Sequence, residues 1–298
     1  MGTTCRLRVI QTTVLFLCGV ACLCHPSAEA IVGDRIQVSI SVSKETFLEA
    51  EPLPVRARIR NRSRDFVEVI SNLEPEYLVL RFRVRDPEGE IWIADPLVCV
   101  SIEGYEKIAL SAGDELIYSA PLLFGVVRGV AKFLFDKTGN YTMEALYDAE
   151  GTGKPFSSKP VTITVVEAKG VDSQAQRLFM GPEQGRFAAG SGESQAAMDS
   201  FQRILREYPT STYAPYAAYY LGSYYRRRDD YKQSIELFER ILKDYKDFPL
   251  WADVMYQLAI AYRETGRKDK ARECISQLIS KDPSHLAARR GKKLLGEL

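Results

Sequence analysis

Residues 212–227, TYAPYAAYYLGSYYRR, and residues 249–264, PLWADVMYQLAIAYRE, carry one pattern at an offset of 37 positions. Apolar side chains keep that offset through the C-terminal third of the chain. Phe201, Phe238 and Ile275 form one series, and Ile204, Ile241 and Leu278 a second. Ala214, Trp251 and Ala288 form a third, and Leu221, Leu258 and Leu295 a fourth. Within each unit the apolar positions recur three and four apart, the spacing of a helix with one buried face. A short helical unit cannot bury that face alone and stacks on its next copy, so the pattern predicts an all-α solenoid over 193–298. Residues 286–298 read as a closing helix. Its Arg289, Arg290, Lys292 and Lys293 supply the polar outer face that a solenoid end requires.

Upstream the match decays. Gly181-Pro182 interrupts the helical pattern, and 169–192 reads as a linker with an irregular helix. Before that the period falls to two. Ile36, Val38, Ile40 and Val42 alternate with polar residues. Val55, Ala57 and Ile59 alternate with Arg56, Arg58 and Arg60, and Leu78, Leu80, Phe82 and Val84 with Arg81, Arg83 and Arg85. Each such run is a strand with one wet face. Asp86-Pro87-Glu88-Gly89 is a turn signal with Ile91-Trp92-Ile93 returning, and further strands fall at 116–120, 141–147 and 161–166. Short strands with frequent turns predict an all-β sandwich over 31–168. Tyr141, at the start of its strand, has the position of a tyrosine corner. The pattern resembles the immunoglobulin-like modules of exported bacterial proteins. The chain is thus expected to be multidomain: an immunoglobulin-like sandwich, then a solenoid.

The repeat residues resemble the tetratricopeptide repeat. Leu221-Gly222 with Tyr225, followed by Ser234, Phe238 and Ile241, fits its two helices. Leu258-Ala259 with Tyr262, then Ala271, Ile275, Leu278 and Pro283, fits the next unit. The run Tyr208-Pro209-Thr210-Ser211-Thr212-Tyr213-Ala214-Pro215 before Leu221-Gly222 narrows the likeness to bacterial envelope proteins: outer-membrane assembly lipoproteins and Tol–Pal coordinators. The resemblance implies protein or peptide binding on the inward faces of the first helices. Mapped here, these are Tyr216, Tyr219, Ser223, Arg226 and Arg227, then Asp253, Tyr256, Ile260 and Arg263.

Residues 1–30 have the parts of a secretory signal: Arg6 and Arg8, an uncharged and mostly apolar run over 9–24, and the small-x-small site Ala28-Glu29-Ala30. Export to the periplasm or cell surface is therefore expected, with lipid anchoring at Cys22 as the alternative. Membrane association is expected only in the lipidated form. Cleavage would leave Cys99 and Cys274, read as two buried small hydrophobes with a bridge between them left open.

Composition narrows the chemistry. A net charge of +1 excludes a grossly basic nucleic-acid binder, and two histidines, His25 and His285, exclude a multi-histidine metal site. A Ser-His-Asp site outside the signal would have to use His285. Gly151-Thr152-Gly153-Lys154-Pro155 lacks P-loop spacing and reads as a hairpin loop. Glu74 with Glu76, and Glu103 with Glu106, read as solvated acids. Asn61-Arg62-Ser63 matches the glycosylation pattern by chance. No catalytic residue, cofactor or metal is expected.

Charge divides between the halves. Residues 31–170 carry 17 Lys+Arg and 21 Asp+Glu, and residues 171–298 carry 21 and 17. The basic half with its tyrosines suits a ligand with acidic side chains or a free carboxylate, and the reading is a non-enzymatic adaptor of the bacterial envelope. The alternative is a sandwich that grips a glycan or anionic polymer. It would use a basic face formed by Arg56, Arg58, Arg60, Arg62 and Arg64 with Arg81, Arg83 and Arg85, if their strands share a sheet.

Overall fold

A computed structural model describes residues 35–99 and 104–298. The expected signal, its cleavage site and Cys22 lie outside the described residues, as does Glu103. The N-terminal half is a β-sandwich and the C-terminal half a stack of eight helices.

Thirteen strands are described: β1 (Ile36–Val42), β2 (Thr46–Leu48), β3 (Leu53–Asn61), β4 (Val67–Ile70), β5 (Leu80–Arg85), β6 (Ile91–Ala94), β7 (Lys107–Leu110), β8 (Glu115–Leu122), β9 (Phe124–Val127), β10 (Val130–Phe133), β11 (Gly139–Tyr147), β12 (Phe156–Ser157) and β13 (Val161–Val166). One sheet runs β1-β3-β8. A larger one runs β2-β13-β11-β5-β6 with β12 on β11, and β4-β7 and β9-β10 are separate pairs. The alternation works as read in β3, where Val55, Ala57 and Ile59 are fully buried while Arg58 and Arg60 are exposed. These side chains meet Phe82, Val84, Tyr141 and Ile163 of the other sheet in one core. Tyr141 bends its hydroxyl back to donate to the Lys137 carbonyl at 3.1 Å.

Three expectations need correcting. The arginine rows do not share a sheet: Arg56, Arg58 and Arg60 lie on β3, and Arg81, Arg83 and Arg85 on β5. The alternation does not start at Leu78, which ends a turn of 3-10 helix at φ 58° and is exposed, while Val79 is buried. The left-handed residue resets the phase, and β5 begins at Leu80. Cys99 is exposed, in the loop after β6, so only Cys274 is a buried hydrophobe, and both are free.

The helices are α1 (Gly170–Phe179), α2 (Pro182–Ala188), α3 (Gln195–Glu207), α4 (Ala214–Arg227), α5 (Tyr231–Asp244), α6 (Trp251–Glu264), α7 (Lys268–Lys281) and α8 (Leu286–Leu295). The stretch read as a linker thus holds two helices, α1 and α2. Ser194 caps α3 by accepting from the Ala197 amide, and Asp230 caps α5 through Gln233. Proline opens α2 and α4, where the missing amide hydrogen costs nothing. Phe201, Phe238 and Ile275, and Ile204, Ile241 and Leu278, are all fully buried between helices. At Gly222 an added Cβ would stand 2.8 Å from Phe238, so the small residue is what lets α4 and α5 approach.

The inner face of the repeats as a candidate functional site

The nine residues mapped to the inner face lie on α4 and α6 and differ in burial, with Asp253 partly buried. Tyr216, Tyr219 and Ser223 are buried. The Tyr216 ring meets Phe248 edge-on at 5.2 Å, and the Tyr219 ring lies 5.9 Å from the same residue. The Tyr219 hydroxyl donates to Asp253 at 2.5 Å, and Gln257 donates to the same oxygen at 2.6 Å. Arg226 donates to Gln257 at 3.1 Å, so a polar chain crosses from α4 to α6 and back. Burial, then the neighbouring Asp253 carboxylate, pushes the Tyr219 pKa well above its usual value. This hydroxyl stays protonated and serves as a donor.

The others are more accessible. Arg227 is exposed, and Arg226, Tyr256, Ile260 and Arg263 are partly so. Arg263 is neutralised by Glu264 and by Glu297, at 2.6 and 2.7 Å. Arg226 and Arg227 have no carboxylate partner among the described residues.

The chain's own sandwich borders this face, where Ser43, Lys44 and Glu51 line one cavity with Tyr216 and Phe248. The Tyr118 hydroxyl of β8 is pushed to a high pKa by burial and by the fields of Glu74, Asp253 and Glu76. Contacts at several places fasten the two halves. Tyr213 and Gln176 donate to the Glu49 carbonyl at 2.6 and 2.9 Å, and Ala50 sits in the helical core. Gly185 of α2 lies against the ring of Phe124, where any Cβ would collide. On β8 the Ile117 amide donates to the Ser284 carbonyl at 3.0 Å, and on neighbouring β3 Arg56 pairs with Asp282 at 2.7 Å.

The basic helix α8 does more than face solvent. Arg289 donates to the Glu115 carbonyl at 3.1 Å, Arg290 pairs with Glu74, and Lys293 pairs with Glu106. Glu74 is therefore not a free solvated acid, while Glu106 is exposed as expected and has a lysine partner. Sequence reasoning missed Gln257, Tyr118 and Arg290. A signal existed for the last: the offset that links Tyr216 to Asp253 leads, applied once more, to Arg290.

His285 touches Ser119 at 3.2 Å, and the contact is not built for hydrolysis. Its Nδ1 accepts from the Ala287 amide and caps α8, so the proton resides on Nε2 and points at Ser119. A general base needs Nε2 free and Nδ1–H held by an acid. Burial holds this imidazole neutral, its pKa lowered to about 4.

The glycine-rich loop after β11 is closed from within. The Asp148 carboxylate accepts from the amides of Gly151, Thr152 and Gly153 at 2.9, 3.1 and 2.6 Å. Buried Asn61 spends its amide nitrogen on the carbonyls of Asp65, Leu110 and Ser111.

Tetratricopeptide repeat signatures match residues 183–211 and 213–280, so this part of the chain carries tetratricopeptide repeats. The pairs are α2–α3, α4–α5 and α6–α7. No curated protein matches the chain. A β-glucosidase from Listeria innocua in complex with isofagomine overlaps 44% of this chain and 16% of its own at 14% identity, with a TM-score of 0.26. A CARDB domain in complex with di-metal ions from Pyrococcus furiosus overlaps 45% and 94% at 10% identity, with a TM-score of 0.25. A sporulation control protein from Bacillus subtilis overlaps 49% and 54% at 12% identity, with a TM-score of 0.27. The chain spans less than a third of the first three structures it matches: 15%, 16% and 31% of their lengths. Overlaps this slight say nothing about activity.

Proposed function

We propose that the chain is a non-enzymatic adaptor of the bacterial cell envelope. It is exported to the periplasm or cell surface, and it holds a peptide or protein segment on the open part of its repeats' inner face. Repeats of this kind commonly bind proteins or peptides. The observation that carries the reading is the pair Arg226 and Arg227, without acid partners among the described residues and on the same inner face as partly exposed Tyr256 and Ile260. Arginine and tyrosine contribute a large share of binding energy at interfaces, and the guanidinium pair selects a segment with carboxylates. Tyr216, Tyr219 and Asp253 support this surface from beneath. Ordering a flexible segment offsets much of the contact energy, which places affinity in the micromolar range.

The Tyr141 hydrogen bond supports an immunoglobulin-like relation for the sandwich. Polymer binding by one continuous basic face is disfavoured, because the two arginine rows occupy different sheets. Arg56, Arg58 and Arg83 also have acid partners, Asp282, Glu115 and Glu144.

In-cell crosslinking with mass spectrometry tests the proposal, comparing the parent with Arg226→Glu/Arg227→Glu/Arg263→Glu. One partner crosslinked to α4 and α6, and lost in the variant, is the expected result. Crosslinks that gather on β3 and β5 and survive the change overturn it.

A further inference from the structure

At one end of the sandwich, the loop 62–66 after β3 is exposed and anchored by hydrogen bonds at its base. Asn61, fully buried, ties it down. Its amide nitrogen donates to the three carbonyls named above, and its oxygen accepts from the amide and hydroxyl of Ser63 at 2.8 and 2.7 Å. From this base Arg62, Arg64 and Phe66 stand out into solvent. Phe66 is 68% exposed, the most exposed large hydrophobic side chain among the described residues. Arg60 is exposed beside the loop, and Arg35 donates to the Phe66 carbonyl at 2.9 Å.

Arg60, Arg62 and Arg64 have no acid partner among the described residues. The acids nearby are partly spoken for: Glu115, opposite Arg60 in the ladder, pairs with Arg58 at 3.5 Å, Asp65 faces Arg35 at 3.9 Å, and Asp114 accepts from the Ser111 amide, while Glu68 stands exposed on β4.

We propose that this tip docks on an anionic lipid bilayer. A protruding aromatic needs a receiving cavity in a protein partner, whereas a bilayer yields around it. Guanidinium groups take headgroup phosphates, and the ring enters the headgroup–acyl boundary beneath them. The hydrogen bonds of Asn61 and Ser63 hold the loop's base before contact, which lowers the backbone entropy that docking costs. The tip shares no residue with the inner face of the repeats, so the two proposals stand or fall separately.

Residues 32–298 form one compact unit and are the protein to test, which removes the apolar run 9–24 as a competing anchor. The probes are mixed phosphatidylglycerol–phosphatidylcholine vesicles and phosphatidylcholine vesicles alone. Co-sedimentation with the mixed vesicles only is expected. Each arginine near an anionic surface is worth about a fivefold change in partitioning, so Arg62→Ala/Arg64→Ala should weaken binding roughly twentyfold. Phe66→Ala should weaken it about tenfold, and a Phe66→Trp variant should show a blue-shifted difference spectrum on the vesicles. All these side chains are exposed, and an unchanged melting temperature confirms that the variants fold. No sedimentation, or binding unaltered by the substitutions, overturns the proposal. So does polyphosphate binding as tight as vesicle binding with no spectral shift.

Discussion

His285 joins the two halves through a single protonation state. Its Nδ1 must accept from the Ala287 amide, and a second proton would occupy that lone pair in a buried site, where burial outweighs the pull of Asp282. Its pKa, lowered from 6.5 to about 4, makes the folded chain bind fewer protons than the unfolded one between those values. Stability is therefore complete above pH 6.5 and falls as pH drops toward 4, by up to roughly 3 kcal/mol. Buried Glu51 acts in the opposite sense. Burial raises its pKa against the pull of Lys44, so its protonation favours the folded state as pH falls. Urea midpoints measured across this range should fall with acid, and His285→Asn, which can still cap α8, should flatten the slope. An unchanged slope would remove His285 from the account. Gly222 is the other residue on which much rests. A methyl there meets Phe238, and Gly222→Ala should cost about 1–2 kcal/mol even after the gain in helix propensity. The check is a lower urea midpoint at constant m-value.

Elements differ in how much of them the sequence shows. The strands whose sequences alternate cleanly, β1, β3 and β5, and the helices from α3 onward were legible because one period runs through each. The short strands β4, β7, β9 and β10 were not, because four residues carry no period. The hairpin of β9 and β10 had a subtler sign in Arg128-Gly129. Both residues take positive φ, 51° and 81°, as a two-residue hairpin turn requires. Asn61 looked like part of a chance glycosylation pattern, since nothing in a sequence tells that an asparagine is buried. It fixes the geometry of its loop, and Asn61→Ala should cost about 2–4 kcal/mol by leaving buried carbonyls unpaired. Thermal melts of that variant provide the test, and a loss under about 0.5 kcal/mol would contradict the role. The candidate site was legible as a set of positions, because the repeat offset names them. Their exposure was not, since burial of Tyr216 and Tyr219 depends on Phe248 and on the sandwich.

At the scale of the whole molecule, the opposite charges of the two halves are spent partly on each other. Arg290 with Glu74, Lys293 with Glu106 and Asp282 with Arg56 all cross the seam. Such partly exposed pairs contribute at most about 1 kcal/mol each, so the seam stands mainly on apolar burial. Ala50, Leu123 and Phe133 enter the helical core, and Leu286 enters that of the sandwich. Residues 32–298 should therefore melt in one calorimetric transition, and two resolved transitions would show that the halves are independent. This arrangement leaves part of the inner face open for a partner. Hydrogen–deuterium exchange of residues 32–298, with and without the crosslinked partner once purified, tests it most directly. New protection is expected over 223–227 and 256–263, with the Ile117 amide as protected as before. Protection confined to the sandwich, or loss of protection at Ile117 as the partner binds, would contradict it.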